Sequence, residues 1–268
     1  MDKKKKVKKV LKVVAVILVI FFVAQQLAMG WFGGMGLLWK LKDIRMGRAE
    51  GNAEEYSFDK IELQKGNEMQ GKNLLVLGSS VTYGECSLRN GPGEYFEHRW
   101  GCSLIKETVS GTTLVDSGKK SYVQRLSHNV DPSQKVDLFL CQLSTNDASQ
   151  KKTLGEVSNA MDLEDFDTTT ITGAMEYIIG YAKETWDCPV VFYTGSRYES
   201  KEYQAMVDRL YELQQKWDIG VLDLWSGDEF NNISETQRSI YMADDIHPTM
   251  AGYRDWWCPE MEKQLNEI

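Results

Sequence analysis

Histidine is scarce in this sequence, with three among 268 residues, at positions 98, 128 and 247. Any chemistry that needs an imidazole has to use one of them. The five cysteines, Cys86, Cys102, Cys141, Cys188 and Cys258, show neither a CxxC pair nor a Cys/His ligand spacing. That removes the usual sequence grounds for a structural zinc site or a dithiol redox centre. Their odd number leaves at least one thiol without an intramolecular disulfide partner. Cys141 lies in an apolar run and reads as a small core residue, while a Cys86 to Cys102 disulfide stays open. No internal repeat and no low-complexity tract occurs beyond a lysine run near the N-terminus.

Positive charge is sparse after the first forty residues. Those hold eight lysines against one acid, which leaves 23 basic and 38 acidic residues, a net −15, over residues 41 to 268 of a chain whose overall charge is −8. A body so acidic repels phosphate backbones. Nucleic acid is therefore not an expected partner, and neutral or cationic substrates fit better than polyanionic ones. A composition of 42% hydrophobic and 26% charged residues suits one globular domain with an appendage.

The appendage is apolar. Residues 13 to 24 (VVAVILVIFFVA) are uninterrupted, and no charge occurs between residues 13 and 39. A transmembrane helix needs about 20 mostly apolar residues, and Trp31 and Trp39 are available as interfacial aromatics. The seven lysines before Val13 stay on the cytoplasmic side by the positive-inside rule, so the rest of the chain is expected to face outward. A cleaved signal peptide, giving a secreted protein, is the competing reading. The lack of a clean A-x-A site or of a lipobox-like cysteine favours the uncleaved anchor. Residues 40 to 70 are charged and glycine-punctuated with no apolar face, which predicts a stalk. The expected organisation is a basic cytoplasmic segment (1–12), an anchor (13–39), a stalk (40–70) and one domain (71–268).

Within that domain, short apolar or β-branched runs at 73–78, 103–109, 137–143, 189–194 and 220–225 predict strands. Apolar residues returning at three and four predict helices over 93–100, 171–186, 200–217 and 249–266. Strands alternating with helices imply crossover units and a parallel sheet covered on both faces, a three-layer α/β/α arrangement. Ligands in such sheets gather at the carboxyl ends of the strands.

Two short segments carry chemistry. Gly78-Ser79-Ser80-Val81-Thr82-Tyr83-Gly84 is a glycine-bounded turn after the first strand and presents a hydroxyl there. Asp244-Asp245-Ile246-His247-Pro248 precedes the last helix. An Asp three residues before a His on one loop can orient the imidazole through Nδ1, leaving Nε2 to take a serine proton. Together they make an activated nucleophile. His98 and His128 have no partner pattern and read as structural. Arg197 and Tyr198, just past the fourth strand, read equally as substrate contacts or as surface.

Gly-x-Ser-Val-Thr and Asp-x-x-His-Pro-Thr resemble the first and last sequence blocks of the SGNH (GDSL-type) hydrolases. Ser110-Gly111-Thr112-Thr113 resembles the second block and Ser144-Thr145-Asn146-Asp147 the third, all in family order at strand ends. The resemblance implies a flavodoxin-like SGNH fold, Ser80 as nucleophile, His247 and Asp244 as its activating pair, and no cofactor. It also implies an oxyanion hole made by the N–H groups of Ser80 and Gly111 and the side-chain amide of Asn146. Asp147 is expected to shape its loop rather than catalyse. Two positions depart from the family pattern: Ser79 stands where Asp usually precedes the nucleophile, and Ser144 where Gly usually opens the third block.

The activity so implied is hydrolysis of a small-molecule or carbohydrate ester, such as an O-acetylated cell-surface sugar. Three alternatives stand beside it. One is an O-acyltransferase using the same triad. Another is a metal-dependent phosphoesterase with Asp244, Asp245, His247 and Asp147 as ligands. The third is a non-catalytic surface protein that retains the fold.

Overall fold

The computed structural model describes residues 3–33, 36–38 and 40–267. They divide into two compact units, one ending at Ala49 and one beginning at Glu50.

In the first unit, α1 (Lys3–Gly33) is followed by a 3₁₀ turn (Gly36–Leu38) and by α2 (Lys40–Met46). The stretch Lys5–Trp31 of α1, 27 residues, is long and apolar enough to cross a membrane. At 1.5 Å per residue it measures about 40 Å, against about 30 Å of bilayer hydrocarbon. Its large apolar side chains are exposed, Phe21 by 69%. Trp39, expected as an interfacial aromatic, lies outside the described residues.

The second unit is built on five parallel strands, β1 (Asn73–Gly78), β2 (Ser103–Thr108), β3 (Leu138–Gln142), β4 (Val190–Tyr193) and β5 (Gly220–Leu222), in spatial order β2-β1-β3-β4-β5. Successive side chains on a strand point to opposite faces. Leu75, Leu77, Phe139, Cys141 and Phe192 accordingly join one apolar cluster, and Leu74, Val76, Leu140, Val191 and Tyr193 the other.

After β1 comes the short α3 (Ser80–Tyr83), then α4 (Pro92–Trp100), α5 (Tyr122–Asn129), α6 (Thr145–Ser149), α7 (Ile171–Trp186) and α8 (Lys201–Trp217). The chain ends through α9 (Asp228–Asn231), α10 (Glu235–Tyr241) and α11 (Met250–Gly252), which runs through a π-helical segment, Tyr253–Trp257, into α12 (Cys258–Leu265). Residues of α5, α7 and α8 pack in the first cluster, and those of α4, the π-helical segment and α12 in the second. The three-layer α/β/α arrangement expected from sequence is therefore present.

Two boundaries differ from expectation by more than one residue. The fifth strand stops at Leu222 rather than at residue 225, because the Asp223 carboxylate accepts the N–H groups of Trp225 (2.8 Å) and Ser226 (2.9 Å) and turns the chain. The stalk expected over residues 40–70 is not free chain from Glu50 onward. Three 3₁₀ turns (Glu50–Asn52, Glu54–Tyr56, Phe58–Lys60) lie on the domain, with Phe58 only 2% exposed in the second apolar cluster. All five cysteines are buried, and no disulfide joins the described residues.

Candidate active site

In this strand order the chain reverses direction across the sheet between β1 and β3, so their carboxyl ends flank the crevice where open α/β sheets bind ligands. Both ends carry residues singled out in the sequence. Ser80 opens α3 directly after β1, and Asn146 lies in the first turn of α6 after β3. Gly78 is required at the first end, because a Cβ there would run into the Thr82 side chain. Gly84 closes α3 in the left-handed region at φ 76°, where a side chain would also meet the Asn90 backbone.

The loop before α11 delivers the imidazole. His247 Nε2 lies 2.8 Å from Ser80 Oγ, and His247 Nδ1 lies 2.9 Å from both carboxylate oxygens of Asp244. Asp244 Oδ1 also accepts the N–H groups of Ile246 (2.9 Å) and His247 (2.8 Å), which fixes the loop around the carboxylate. Partial burial works against ionisation of Asp244, but the bond and the charge of His247 and those two amides outweigh it and lower its pKa to about 2. Ser80 itself is 7% exposed.

The other expected residues sit around this chain of bonds. Gly111 follows β2 with φ 78°, and a Cβ there would meet nothing within 4 Å, so the glycine serves its left-handed backbone rather than a close approach. Asn146 Nδ2 donates to the Thr112 carbonyl at 3.0 Å, which ties the amide to the Gly111 loop and fixes its plane. Asp147 is fully buried and accepts the N–H groups of Leu114 (2.7 Å) and Val115 (3.1 Å). Burial raises its pKa against the pull of those bonds. Asp147 therefore holds a loop, and it is not available to join Asp244, Asp245 and His247 as a fourth metal ligand. Among the described residues, Cys86 groups with Asp244 and His247, their ligand atoms lying within 4.8 Å of one another.

Arg197 and Tyr198 are occupied structurally. Arg197 bonds the carbonyls of Trp225 and Ser226 and pairs with Asp228 (2.7 Å), and the Tyr198 ring packs on Tyr203 and Trp225. His128 Nδ1 bonds its own helix at the Gln124 carbonyl (3.0 Å).

Four residues that build the site escaped the sequence reading. Arg125, 1% exposed, donates to the carbonyls of Gly78 (2.9 Å) and Glu107 (2.8 Å) and to Thr112 Oγ1 (3.2 Å), joining the ends of β1 and β2 to the Gly111 loop. Tyr253 donates its hydroxyl to the Val81 carbonyl at 2.6 Å, so the C-terminal helical segment holds the turn of Ser80. Asn52 donates to the Cys86 carbonyl and accepts the Met250 N–H, each at 2.8 Å, linking the segment after α3 to the one after His247. Gln142, the last residue of β3, accepts the N–H of Ser79 at 2.9 Å.

Several solved structures share this fold. A protein from Lactobacillus plantarum superposes with a TM-score of 0.60 at 17% identity, over 74% of this chain and 98% of that one. A protein from Bacteroides ovatus described as a GDSL-like lipase gives 0.57 at 14% identity, over 74% of this chain and 100% of that one. A family two carbohydrate esterase from Clostridium thermocellum, solved with cellohexaose, gives 0.52 at 14% identity, over 76% of this chain and 68% of that one. No curated protein matches the sequence. The family model that does match, GDSL-like lipase/acylhydrolase, spans residues 76–254 and so includes every residue of the Ser80, Asn146 and His247 loops. The chain belongs to the GDSL-like lipase/acylhydrolase family and is a hydrolase acting on ester bonds.

Proposed function

We propose that Ser80, His247 and Asp244 form the catalytic triad of a carbohydrate or small-molecule esterase held at the outer face of a membrane. The observation that carries this reading is the unbroken path from Ser80 Oγ to His247 Nε2 (2.8 Å) and from Nδ1 to Asp244 (2.9 Å). Geometry of that kind lets the imidazole take the serine proton as Oγ attacks the ester carbonyl, and return it to the departing alcohol. Asp244, ionised down to about pH 2, holds the imidazole in the tautomer that exposes Nε2 and stabilises the imidazolium that forms. Water then repeats the cycle on the acyl-serine and releases the acid.

The charge that develops on the carbonyl oxygen falls to the N–H groups of Ser80 and Gly111 and to Asn146. One amide hydrogen of Asn146 is held by Thr112, so the other has a fixed direction. Such preorganised donors need no rearrangement as the charge appears.

The substrate class draws its support from two sources. The body of the chain is acidic, which disfavours polyanions. A structure of the same fold is a carbohydrate esterase solved with a cello-oligosaccharide. The apolar stretch Lys5–Trp31, preceded and entered by lysines, favours a single membrane crossing with the N-terminus cytoplasmic and the domain extracytoplasmic.

The test is a fluorophosphonate probe applied to the full-length chain in detergent, with the adduct located by mass spectrometry. An adduct on Ser80 that is absent from Ser80→Ala, together with release of acetate from acetylated xylan or chitooligosaccharide, supports the reading. A folded chain that remains unlabelled removes the serine mechanism, and labelling without release from any sugar ester removes the substrate class alone.

A further inference from the structure

The turn that presents Ser80 lacks the carboxylate that usually precedes the nucleophile in this family, and Ser79 in its place is fully buried. A serine side chain is too short to brace both sides of the turn. Five donor contacts nevertheless converge on one acceptor, the Oε1 atom of Gln142. Ser79 N lies at 2.9 Å, Thr82 Oγ1 at 2.8 Å and Ser79 Oγ at 3.3 Å, with Thr82 N and Tyr122 OH each at 3.4 Å. A carbonyl oxygen has two lone pairs, so the two short bonds, from Ser79 N and Thr82 Oγ1, carry most of the interaction. They come from the residue just before Ser80 and from the residue two after it.

The rest of the side chain gains nothing from this position. Gln142 is 1% exposed, and its Nε2 has no hydrogen-bond partner among the described residues. A buried amide left unpaired is unfavourable, and an apolar residue of the same size would avoid it. The acceptor oxygen is what the site uses. β3 places it there, because the parallel register pairs Leu77 with Cys141 and sets Gln142 beside Gly78, at the foot of the turn. Thr82 Oγ1 in turn lies 2.6 Å from Tyr193 OH on β4, so the brace continues across the sheet.

We propose that Gln142 is a positioning residue for the nucleophile, supplying from the neighbouring strand the acceptor that position 79 has lost. The proposal rests on the reading of Ser80 as nucleophile. Gln142 holds the Ser80 turn in the conformation in which Oγ meets His247, and it does so with a neutral oxygen rather than a buried charge.

The test compares the full-length chain with Gln142→Met, which keeps volume and removes the acceptor, and with Gln142→Glu, which keeps an acceptor oxygen. The readouts are the rate of Ser80 labelling by a fluorophosphonate, kcat and KM on a small acetyl ester, and the thermal midpoint. Displacement of a reacting group by about 1 Å costs about 100-fold in rate. Gln142→Met is expected to lose about that factor in labelling and in kcat with KM little changed, and to melt somewhat lower because the buried Ser79 N–H and Thr82 hydroxyl lose their acceptor, while Gln142→Glu stays within about threefold of wild type. Equal labelling of wild type and Gln142→Met overturns the proposal, as does a Glu variant that loses as much as Met. If Gln142→Met does not fold, Thr82→Val decides: it removes one of the two short bonds at constant volume and is expected to slow labelling about tenfold, and labelling at the wild-type rate overturns the proposal. A wild-type chain that is never labelled instead refutes Ser80 as nucleophile, which is a different result.

Discussion

The guanidinium of Arg125 donates to the carbonyl of Gly78 at 2.9 Å, two residues before Ser80. The same group pairs with Glu107 at 3.0 Å and is almost wholly buried, while Glu107 keeps some exposure. One side chain thus fastens β1, β2 and the Gly111 loop.

Removing one partner of a buried pair typically costs about 3 to 5 kcal/mol, because the other is left uncompensated. Arg125→Leu is expected to fall near the lower end of that range, since Glu107 can reach water. Urea denaturation measures it. The double variant Arg125→Leu/Glu107→Leu should recover part of the loss. Equal destabilisation of single and double variants would show that the bonds to Gly78 and Glu107 carbonyls, rather than the ion pair, carry the cost.

Asn146→Ala tests the oxyanion assignment. Loss of one such donor lowers kcat by about 100- to 1000-fold, equivalent to roughly 3 to 4 kcal/mol. Loss of its bond to Thr112 should cost only about 1 kcal/mol of stability. A large fall in kcat with a small shift in thermal midpoint is expected. An unchanged kcat removes Asn146 from the oxyanion hole.

Asp244 gives a pH dependence whose sign is fixed. Its pKa is about 2 in the folded chain, below the roughly 3.9 of an unfolded Asp. Below the folded value both states bind the proton, and between the two values the unfolded chain binds more. The stabilisation is therefore complete above about pH 5 and is lost as pH falls through about 2. The stability difference between wild type and Asp244→Asn should shrink as pH falls from about 4 toward 2. A difference that is flat down to the lowest pH at which the chain folds would refute the bonded, ionised carboxylate.

Much of this arrangement was legible because it rests on local pattern. β1 is an apolar run closed by Gly78, and its limits, 73–78, are as expected; α7 carries an unbroken apolar stripe and also spans 171–186 as expected. The Ser80 and His247 segments were recognisable because each keeps its residues within a few positions in sequence. What escaped depends on contacts distant in the chain. Arg125 reads as a surface charge on a short polar helix until β2 and Gly78 are placed around it. Gln142 reads as the polar end of an apolar strand, since the partners in its two short bonds, Ser79 and Thr82, lie 60 and more residues away. The segment from Glu50 to Lys60 reads as stalk because its buried residues, Gly51, Asn52 and Phe58, follow no helical or strand period and sit in separate 3₁₀ turns.

That segment supplies the remaining prediction. Asn52 is 4% exposed, and its bonds to the Cys86 carbonyl and from the Met250 N–H are each 2.8 Å long and buried. Gly51 beside it lies so close to the Ile240 carbonyl and to Thr249 Oγ1 that a Cβ would overlap both. A free stalk has no reason to fit so closely. Leaving a buried donor or acceptor unpaired costs about 1 to 3 kcal/mol, so Asn52→Ala should be clearly destabilising where substitution of an exposed residue of the same segment, such as Glu54, should be neutral. Truncation sharpens the test. A chain beginning at residue 50 should melt close to the full-length protein, whereas one beginning at residue 71 loses Phe58 and Asn52 and should melt well below it, with the Ser80 labelling rate falling in parallel because Asn52 bridges the two loops that carry Ser80 and His247. Equal melting of the two truncated chains would return residues 50 to 70 to the role of a stalk.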